Sequence, residues 1–487
     1  MHFVEVILPL SLAKTFTYRV SEAEFHFVKN GMRVVVPFGK SKMYTALIIG
    51  KHQNEPALYE AKEIDQILDE NPIVTEIQIT HWQWITSYYM CAIGDVYRGA
   101  MPSALLLESE TIVSQKQSVI IEENTLSDEE YLVYQALQKQ SSLRIHDITS
   151  ILNKKNVFPV IQRLIDKNVL VLQEEVQELY KPKLVRYVRL HSKYLSDSGL
   201  SDLLDALKGA AKQREIVLTY FQLNAKESQP ISVKQLIEVA NSTSSIVKVL
   251  IEKEIFEEYF IQEDRINFQG NAQEAALELS KAQQQACDQI TSHFEIKDVC
   301  LLHGLTSSGK TEIYIKLIEE QLASGKQVLY LLPEIALTTQ LVGRLRTYFG
   351  DKVGVYHSKY SNNERVELWK QVLEQSTKAQ IVIGARSALF LPFYQLGFII
   401  VDEEHDLSFK QQDGFRYHAR DLAVKRGQLQ HCPVVLGSAT PSLESLANAK
   451  AGRYQHLFLH ERAAAMTPPT IKLIDLRGQK LQDGLTS

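Results

Sequence analysis

The 487-residue sequence predicts a multidomain α/β protein: a small β-rich N-terminal region, two winged-helix-like modules, then a P-loop domain on a parallel sheet. Three observations carry that expectation. Short runs alternating polar and apolar residues, broken by turn residues, fill positions 1–105. A helix-rich pattern ending in an alternating strand occurs twice between residues 126 and 264. From residue 274 onward, continuous apolar runs alternate with helical stretches, as expected of strands covered on both faces by helices. At roughly 150 residues per domain, the length corresponds to about three or four domains. The expected divisions are 1–105, 120–180, 208–268, 274–465 and 466–487.

Residues 3–8, 15–20, 34–36 and 44–49 read as four strands, the third closing at Pro37-Phe38-Gly39-Lys40. An aromatic helix with Trp82, Trp84, Tyr88 and Tyr89 follows, giving a small β-barrel or sandwich with helical additions. In each of the next two segments, 126–176 and 212–264, an apolar helix ends in a charged turn and enters a strand, which is how a winged helix reads. Ser127-Asp128-Glu129-Glu130 forms a capping box before the first, and residues 180–183 link the two. Winged helices also serve as protein-contact or spacer modules, so the fold alone does not assign DNA contact. In the last region, strands are expected at 299–303, 327–332, 381–384, 398–402 and 434–437.

Composition excludes several classes. Hydrophobic residues are 45% and charged residues 23%, as in ordinary globular proteins. No apolar run is long enough to span a membrane and no signal-peptide pattern follows Met1, so the expected location is cytoplasmic. Cys91, Cys287, Cys300 and Cys432 are scattered without a C-x-x-C pair, which suits buried thiols in a reducing compartment and argues against zinc within this chain. The net charge of −5 does not advertise nucleic-acid binding, but only the charge on the binding face decides that.

The chemistry concentrates in the last region. Gly304-Leu305-Thr306-Ser307-Ser308-Gly309-Lys310-Thr311 has the form G-x-x-x-x-G-K-T and lies between an apolar strand and a helix. Its glycines let the backbone N–H groups of Gly304, Thr306, Ser307, Ser308 and Gly309 turn toward phosphate oxygens. The helix N-terminus adds positive potential. Lys310 is placed to neutralise β and γ phosphates, and Thr311 to put its hydroxyl on Mg²⁺, with a nucleoside triphosphate the expected ligand. Asp402 ends a buried strand, where its carboxylate can reach the same Mg²⁺ from the sheet's carboxyl edge. Glu403 beside it is placed to accept a proton from an attacking water. His405 fits a sensor of the γ-phosphate or a plain hydrogen-bonding imidazole. Ser438 and Thr440, in Gly437-Ser438-Ala439-Thr440-Pro441-Ser442, are small hydroxyl residues able to couple those carboxylates to a DNA path.

The ordered set of P-loop, Asp-Glu-x-His and Ser-Ala-Thr resembles superfamily 2 helicases. Leu332-Pro333-Glu334-Ile335-Ala336-Leu337-Thr338, Gly384-Ala385-Arg386-Ser387-Ala388-Leu389-Phe390 and the run from Lys410 to Asp421 are similar to the bacterial replication-restart helicases of the PriA, or primosomal protein N′, family. The N-terminal Pro37-Phe38-Gly39-Lys40 and Tyr88-Tyr89-Met90-Cys91-Ala92-Ile93-Gly94-Asp95 resemble that family as well. The resemblance implies a RecA-like helicase lobe 1 at 274–465, with residues 469–477 entering a second lobe that, with the arginine finger and the zinc-binding insertion, lies beyond this chain. It implies an ATP-dependent 3′-to-5′ DNA helicase that recognises stalled or repaired forks and starts primosome assembly. A non-motor fork-binding scaffold is the alternative for one lobe alone. Gln283 resembles the adenine-reading glutamine. Arg386 and Ser387 resemble residues holding single-stranded DNA, and Phe415, Arg416 and Tyr417 belong to an aromatic-rich loop that couples DNA to hydrolysis, or pack in the core. Phe16, Gly39 and Lys62 match a pocket for the 3′ end of the leading strand, with Thr17 where the family commonly has Asp, a stronger hydrogen-bond acceptor. The implied partners are branched forks, single-stranded DNA, single-strand-binding protein and helicase-loading proteins; the implied state is a monomer in a bacterial cytoplasm, at the nucleoid.

Overall fold

The structure is a computed structural model describing residues 1–39, 42–57, 59–106, 109–115, 126–140, 142–154, 157–167, 169–176, 183–194, 197–226, 230–263, 278–294, 296–305, 308–336, 339–357 and 360–459. Lys40, Thr306, Ser307, Leu337, Thr338, residues 180–182 and the expected second-lobe entry at 466–487 lie outside the described residues. No helix among the described residues is long and apolar enough to cross a membrane.

The N-terminal strands β1 (His2–Ile7), β2 (Phe16–Val20), β3 (Arg33–Phe38), β4 (Lys42–His52) and β5 (Gln66–Ile67) form an antiparallel sheet ordered β2-β1-β4-β3-β5, with α1 (Glu22–Phe27) after β2. Period-2 side chains fill its interior: Val4, Val6, Tyr18, Val20, Val34, Val36, Ala46 and Ile48. The segment from Lys62 to Leu68 then closes the sheet. The Arg19 N–H donates to the Lys62 carbonyl at 2.8 Å, the Asp65 N–H to the Val35 carbonyl at 2.8 Å, and the Leu68 N–H to the Arg33 carbonyl at 3.0 Å. Of barrel and sandwich, the fold is thus a small closed barrel.

Helices α2 (Glu76–Tyr89) and α3 (Ile93–Ala100) carry the barrel onto the last domain. Trp82 and Tyr97 share one core with Phe390, Phe393, Phe409 and Phe415. Gln78 Nε2 donates to the Phe390 carbonyl at 2.6 Å, and Trp369 Nε1 to the Ile73 carbonyl at 2.8 Å. His81 is buried in this junction, and its Nε2 has no hydrogen-bond partner among the described residues. Burial, then the positive charges of Arg426 and Lys425, push its imidazole down to about 3, against a backbone hydrogen bond at Leu422. The docked state therefore holds His81 neutral. As pH falls below about 6.5, the released state gains a proton that the docked state refuses. Docking is expected to weaken by about 1.4 kcal/mol at a pH one unit below that value. Hydrogen exchange of α2 between neutral and mildly acidic pH should show this loosening, and His81→Gln should flatten the dependence.

The two middle modules share one plan. The first runs β6 (Ser109–Gln115), α4 (Asp128–Lys139), β7 (Ser142–Arg144), α5 (Ile145–Leu152), α6 (Phe158–Asp166) and β8 (Leu170–Val176), with sheet order β7-β6-β8. The second runs β9 (Lys183–Leu190), α7 (Asp197–Ala206), α8 (Ala211–Lys226), β10 (Ile231–Ser232), α9 (Val233–Val239), α10 (Ser244–Glu252) and β11 (Phe256–Glu263), with order β10-β9-β11. Each long strand pairs antiparallel with a strand opening its module, so the second sheet takes in β9, upstream of residue 208 where the sequence reading began that module. Glu130 closes the expected capping box at Ser127 and also pins α4 to α6. It accepts from Arg163 Nε at 2.8 Å and Lys167 Nζ at 2.6 Å. Burial alone raises this carboxyl; the hydrogen bonds from Lys167, the Ser127 backbone and Arg163 outweigh it and hold it at about 2.

The last domain comprises α11 (Lys281–His293), β12 (Val299–Gly304), α12 (Lys310–Ala323), β13 (Gln327–Leu331), α13 (Thr339–Phe349), β14 (Val353–Tyr356), α14 (Asn362–Leu373), β15 (Ile381–Gly384), β16 (Leu396–Asp402), β17 (Lys410–Gln411), β18 (Tyr417–His418), α15 (Ala419–Gln430), β19 (Val434–Ser438), α16 (Leu443–Lys450) and β20 (Gln455–Leu459). Its seven-stranded sheet is parallel, in the order β14-β15-β13-β16-β19-β12-β20. The five expected strands are its five central ones; the edges β14 and β20 are additions. Cys287, Cys300 and Cys432 are buried, and Cys91 is half-buried.

Candidate functional site

The P-loop joins β12 to α12, with Gly309 as helix N-cap at φ 84°. A side chain there would be strained by that left-handed backbone, and an added Cβ would lie 2.0 Å from Gln283 Nε2 and displace that amide. Lys310 is buried, and its Nζ donates to the Gly304 carbonyl at 3.0 Å and lies 3.8 Å from Glu403 Oε1. Ser308 Oγ is buried with no hydrogen-bond partner among the described residues. Gln283 Oε1 accepts the Ser280 N–H at 2.8 Å, and its Nε2 donates to the Gly309 carbonyl at 3.4 Å. Gln284 turns instead to Asp288, and Gln285 is exposed. Gln283 is thus the glutamine that touches the P-loop.

Asp402 sits at the carboxyl edge of β16. Buried Tyr314 and Tyr330 each donate a hydroxyl hydrogen to its carboxylate at 3.1 Å. Burial, then the adjacent Glu403, push the Asp402 carboxyl up to about 6, against Lys310 and the two hydroxyls. A carboxylate so placed gains from a neighbouring cation. Glu403 has φ 50°, an uncommon backbone state for a residue with a side chain. That turn holds its carboxylate between Lys310 and His405, whose Nδ1 is 3.7 Å from Glu403 Oε2. His405 Nδ1 is 2.8 Å from Ser438 Oγ, which also accepts the Thr440 N–H at 3.0 Å. Parallel strands thus bring the P-loop, Asp402, Glu403, His405, Ser438 and Thr440 to one sheet edge.

Sequence reasoning passed over Glu404, which is fully buried. Its carboxylate accepts from the Ser442 N–H at 2.7 Å, Ser442 Oγ at 2.9 Å, Ser445 Oγ at 2.8 Å and Arg420 Nη1 at 3.2 Å. Arg420 also donates to Asp421 and to Ser442 Oγ. This cluster ties the turn after β16, the first turn of α15 and the start of α16 together. Arg386 Nη1 donates to the Ser408 carbonyl at 2.7 Å, beside that segment, and Ser387 is exposed.

The hairpin differs from a set of rings offered to DNA bases. Phe415 and Tyr417 are buried, stacked on each other with centroids 4.9 Å apart, and both meet Phe390 edge-on. The Phe415 ring lies against Gly99 of α3, where a Cβ would sit 2.4 Å from its Cε1. The His418 N–H donates to Tyr89 Oη at 3.2 Å. Docking of the first domain therefore covers the rings, and of the three expected DNA-contacting residues here only Arg416 is exposed.

At the barrel seam, Phe16, Thr17, Gly39 and Lys62 line a single cavity of ≈ 340 Å³ together with Tyr18, Pro37, Phe38, Tyr59 and Glu60. Phe16 and Phe38 meet edge-on at 5.0 Å. Lys62 Nζ donates to the Gly39 carbonyl at 2.9 Å. Tyr18 Oη donates to the Pro37 carbonyl at 3.1 Å, and Tyr59 Oη accepts the Thr17 N–H at 2.8 Å. Tyr59 and Glu60 carry no sequence signal of their own; only the ring closure brings them to the pocket.

Comparison with known proteins accounts for each part. Residues 5–102 match the family model of the 3′ DNA-binding domain, residues 110–175 a winged helix domain, residues 185–262 the winged helix domain of PriA helicase from Bacteroidota, and residues 280–449 the DEAD/DEAH box helicase. The chain is 32% identical to the replication restart protein PriA of Bacillus subtilis, over 99% of this chain and 59% of that protein. It is 34% identical to PriA of Haemophilus influenzae, over 100% of this chain and 56% of that one. PriA of Rickettsia conorii is 42% identical over 49% of this chain and 35% of its own length. Among solved structures, RecG bound to a three-way DNA junction aligns at a TM-score of 0.29 and 17% identity, over 56% of this chain and 32% of that one, too loosely to add to the assignment. The chain spans rather more than half the length of the two relatives it matches end to end. With the four domain models in series and relatives of one name aligned along the whole of it, the chain belongs to the PriA family of replication restart proteins.

Proposed function

We propose that this chain is the fork-reading and ATP-binding part of an ATP-dependent 3′-to-5′ DNA helicase that initiates primosome assembly at stalled or repaired forks. The observation that carries the reading is the pairing, in one chain, of the seam cavity around Phe16, Gly39 and Lys62 with the P-loop and Asp402–Glu403 edge. Lys310 and the P-loop N–H groups bind the phosphates of ATP, and Gln283 reads the adenine. Thr311 and Asp402 would hold Mg²⁺; a hydroxyl and a carboxylate suit this hard cation, and the raised Asp402 carboxyl beside Glu403 fits a site completed by positive charge. The bound cation would supply charge neutralisation at the phosphates. Glu403 orients and deprotonates the attacking water, and His405, Ser438 and Thr440 couple that step to DNA held by Arg386, Ser387 and Arg416. Forks and single-stranded DNA are the nucleic-acid partners; single-strand-binding protein and helicase-loading proteins are the protein partners.

The test compares binding of the chain to two forks that differ only in a free or a 3′-deoxy end at the junction. Preference for the free end is expected, as is a loss with Lys62→Ala of about tenfold on the free-end fork, the size of one charge-assisted contact, and less on the other. Equal binding to both forks by the parent chain, with equal losses on both in the variant, would overturn the end-reading assignment. Preference for the free end with little ATP turnover would support the reading of a fork-sensing part of such a helicase.

A further inference from the structure

We propose that Tyr59 is the residue that reads the terminal 3′-hydroxyl in the seam cavity; this deepens, and rests on, the end-recognition reading above. The reason lies in how the barrel closes. Along the outer edge of β2, the Arg19 N–H is satisfied by a backbone carbonyl, that of Lys62. Two residues earlier, the Thr17 N–H is satisfied by a side chain, the phenol of Tyr59 at 2.8 Å. Backbone pairing stops between these two positions, and the cavity opens where it stops.

A phenol differs from a carbonyl at that place because it is both acceptor and donor. Its oxygen already accepts from Thr17, which polarises the O–H bond. The hydroxyl hydrogen has no acceptor among the described residues, and Tyr59 is 44% exposed at the rim. Among the cavity's other side-chain donors, Tyr18 Oη is engaged with the Pro37 carbonyl and one Lys62 N–H with the Gly39 carbonyl, while the Thr17 hydroxyl also lines the cavity. Lys62 keeps its remaining ammonium hydrogens, which suit a phosphate. Phe16 and Phe38 provide an apolar wall for a base. That leaves the sugar hydroxyl to the Tyr59 or Thr17 hydroxyl, of which the polarised phenol is the stronger donor, and the cavity's size admits one nucleoside.

The experiment uses the 487-residue chain, the free-end and 3′-deoxy forks, and three variants: Tyr59→Phe, Glu60→Gln and Lys62→Ala. Tyr59→Phe keeps the ring and removes only the hydroxyl, and water can replace the lost acceptor for an N–H at this solvent-facing edge. It is expected to weaken binding of the free-end fork about fivefold to tenfold, the size of one hydrogen bond, and leave the 3′-deoxy fork unchanged. Glu60→Gln is expected to keep the parent's preference. If Tyr59→Phe keeps the full preference while the parent still discriminates and Lys62→Ala still loses affinity, Tyr59 is not the reader and end recognition stands. Transfer of the effect to Glu60→Gln overturns the assignment in favour of the neighbouring carboxylate. If the parent itself shows no preference, end recognition fails, and the role of Tyr59 with it.

Discussion

Lys310→Ala is expected to abolish the thermal stabilisation that ATP–Mg²⁺ gives the parent chain. A ligand at a hundred times its Kd stabilises by about 2.7 kcal/mol, several degrees of Tm for a domain of this size. The Lys310 ammonium is buried, within 3.0 Å of the Gly304 carbonyl and 3.8 Å of Glu403, at the N-terminus of α12. It is the cation best placed to meet phosphate there, and a buried charge-assisted contact costs most when one partner is removed. The substitution also removes the positive charge facing Asp402 and Glu403, so the nucleotide-free protein should melt lower as well. The decisive quantity is therefore the shift on adding ATP–Mg²⁺, read by scanning fluorimetry on parent and variant side by side. An equal shift in both would count against nucleotide binding at this loop.

The parts of this protein legible in the sequence are those whose signal is local. Strands β12, β13, β15, β16 and β19 are buried on both faces and read as continuous apolar runs, and the P-loop and Asp402–Glu403 declare themselves by spacing. The illegible parts depend on distant partners. Strand β14 is short and carries Gly354, and β20 alternates as an edge strand, so neither reads as core. Strands β6 and β9 gain meaning only from β8 and β11, which follow them after three and four intervening helices respectively. Phe415 and Tyr417 look like base-stacking rings until α2 and α3 cover them; His418 and Tyr89 meet across 329 residues. Tyr59 lies in a run without periodicity, and only the seam of the barrel places it on Thr17.

Glu404→Ala is expected to destabilise the last domain by about 3–5 kcal/mol, because it strands the buried Arg420 guanidinium. The resulting fall in Tm is on the order of 10 °C. Arg420 is 6% exposed and leans on three carboxylates, Glu404, Asp421 and Glu444, of which only Glu404 is fully buried. Burial disfavours its charge, and Asp421 and Glu404 more than restore it. Glu404 in turn holds Ser442 and Ser445 at the start of α16, next to the Ser438–His405 contact. Removing it therefore loosens the joint between the carboxylate turn, α15 and α16 as well as the fold. A double-mutant cycle separates the two effects. Glu404→Leu combined with Arg420→Met should recover much of the stability, since well-packed apolar residues can replace a buried pair. Hydrogen exchange at residues 403–405 and 440–445 should stay faster than in the parent, because no side chain then spans the two segments. Full recovery of both stability and protection in the double variant would mean that the pair only fills space.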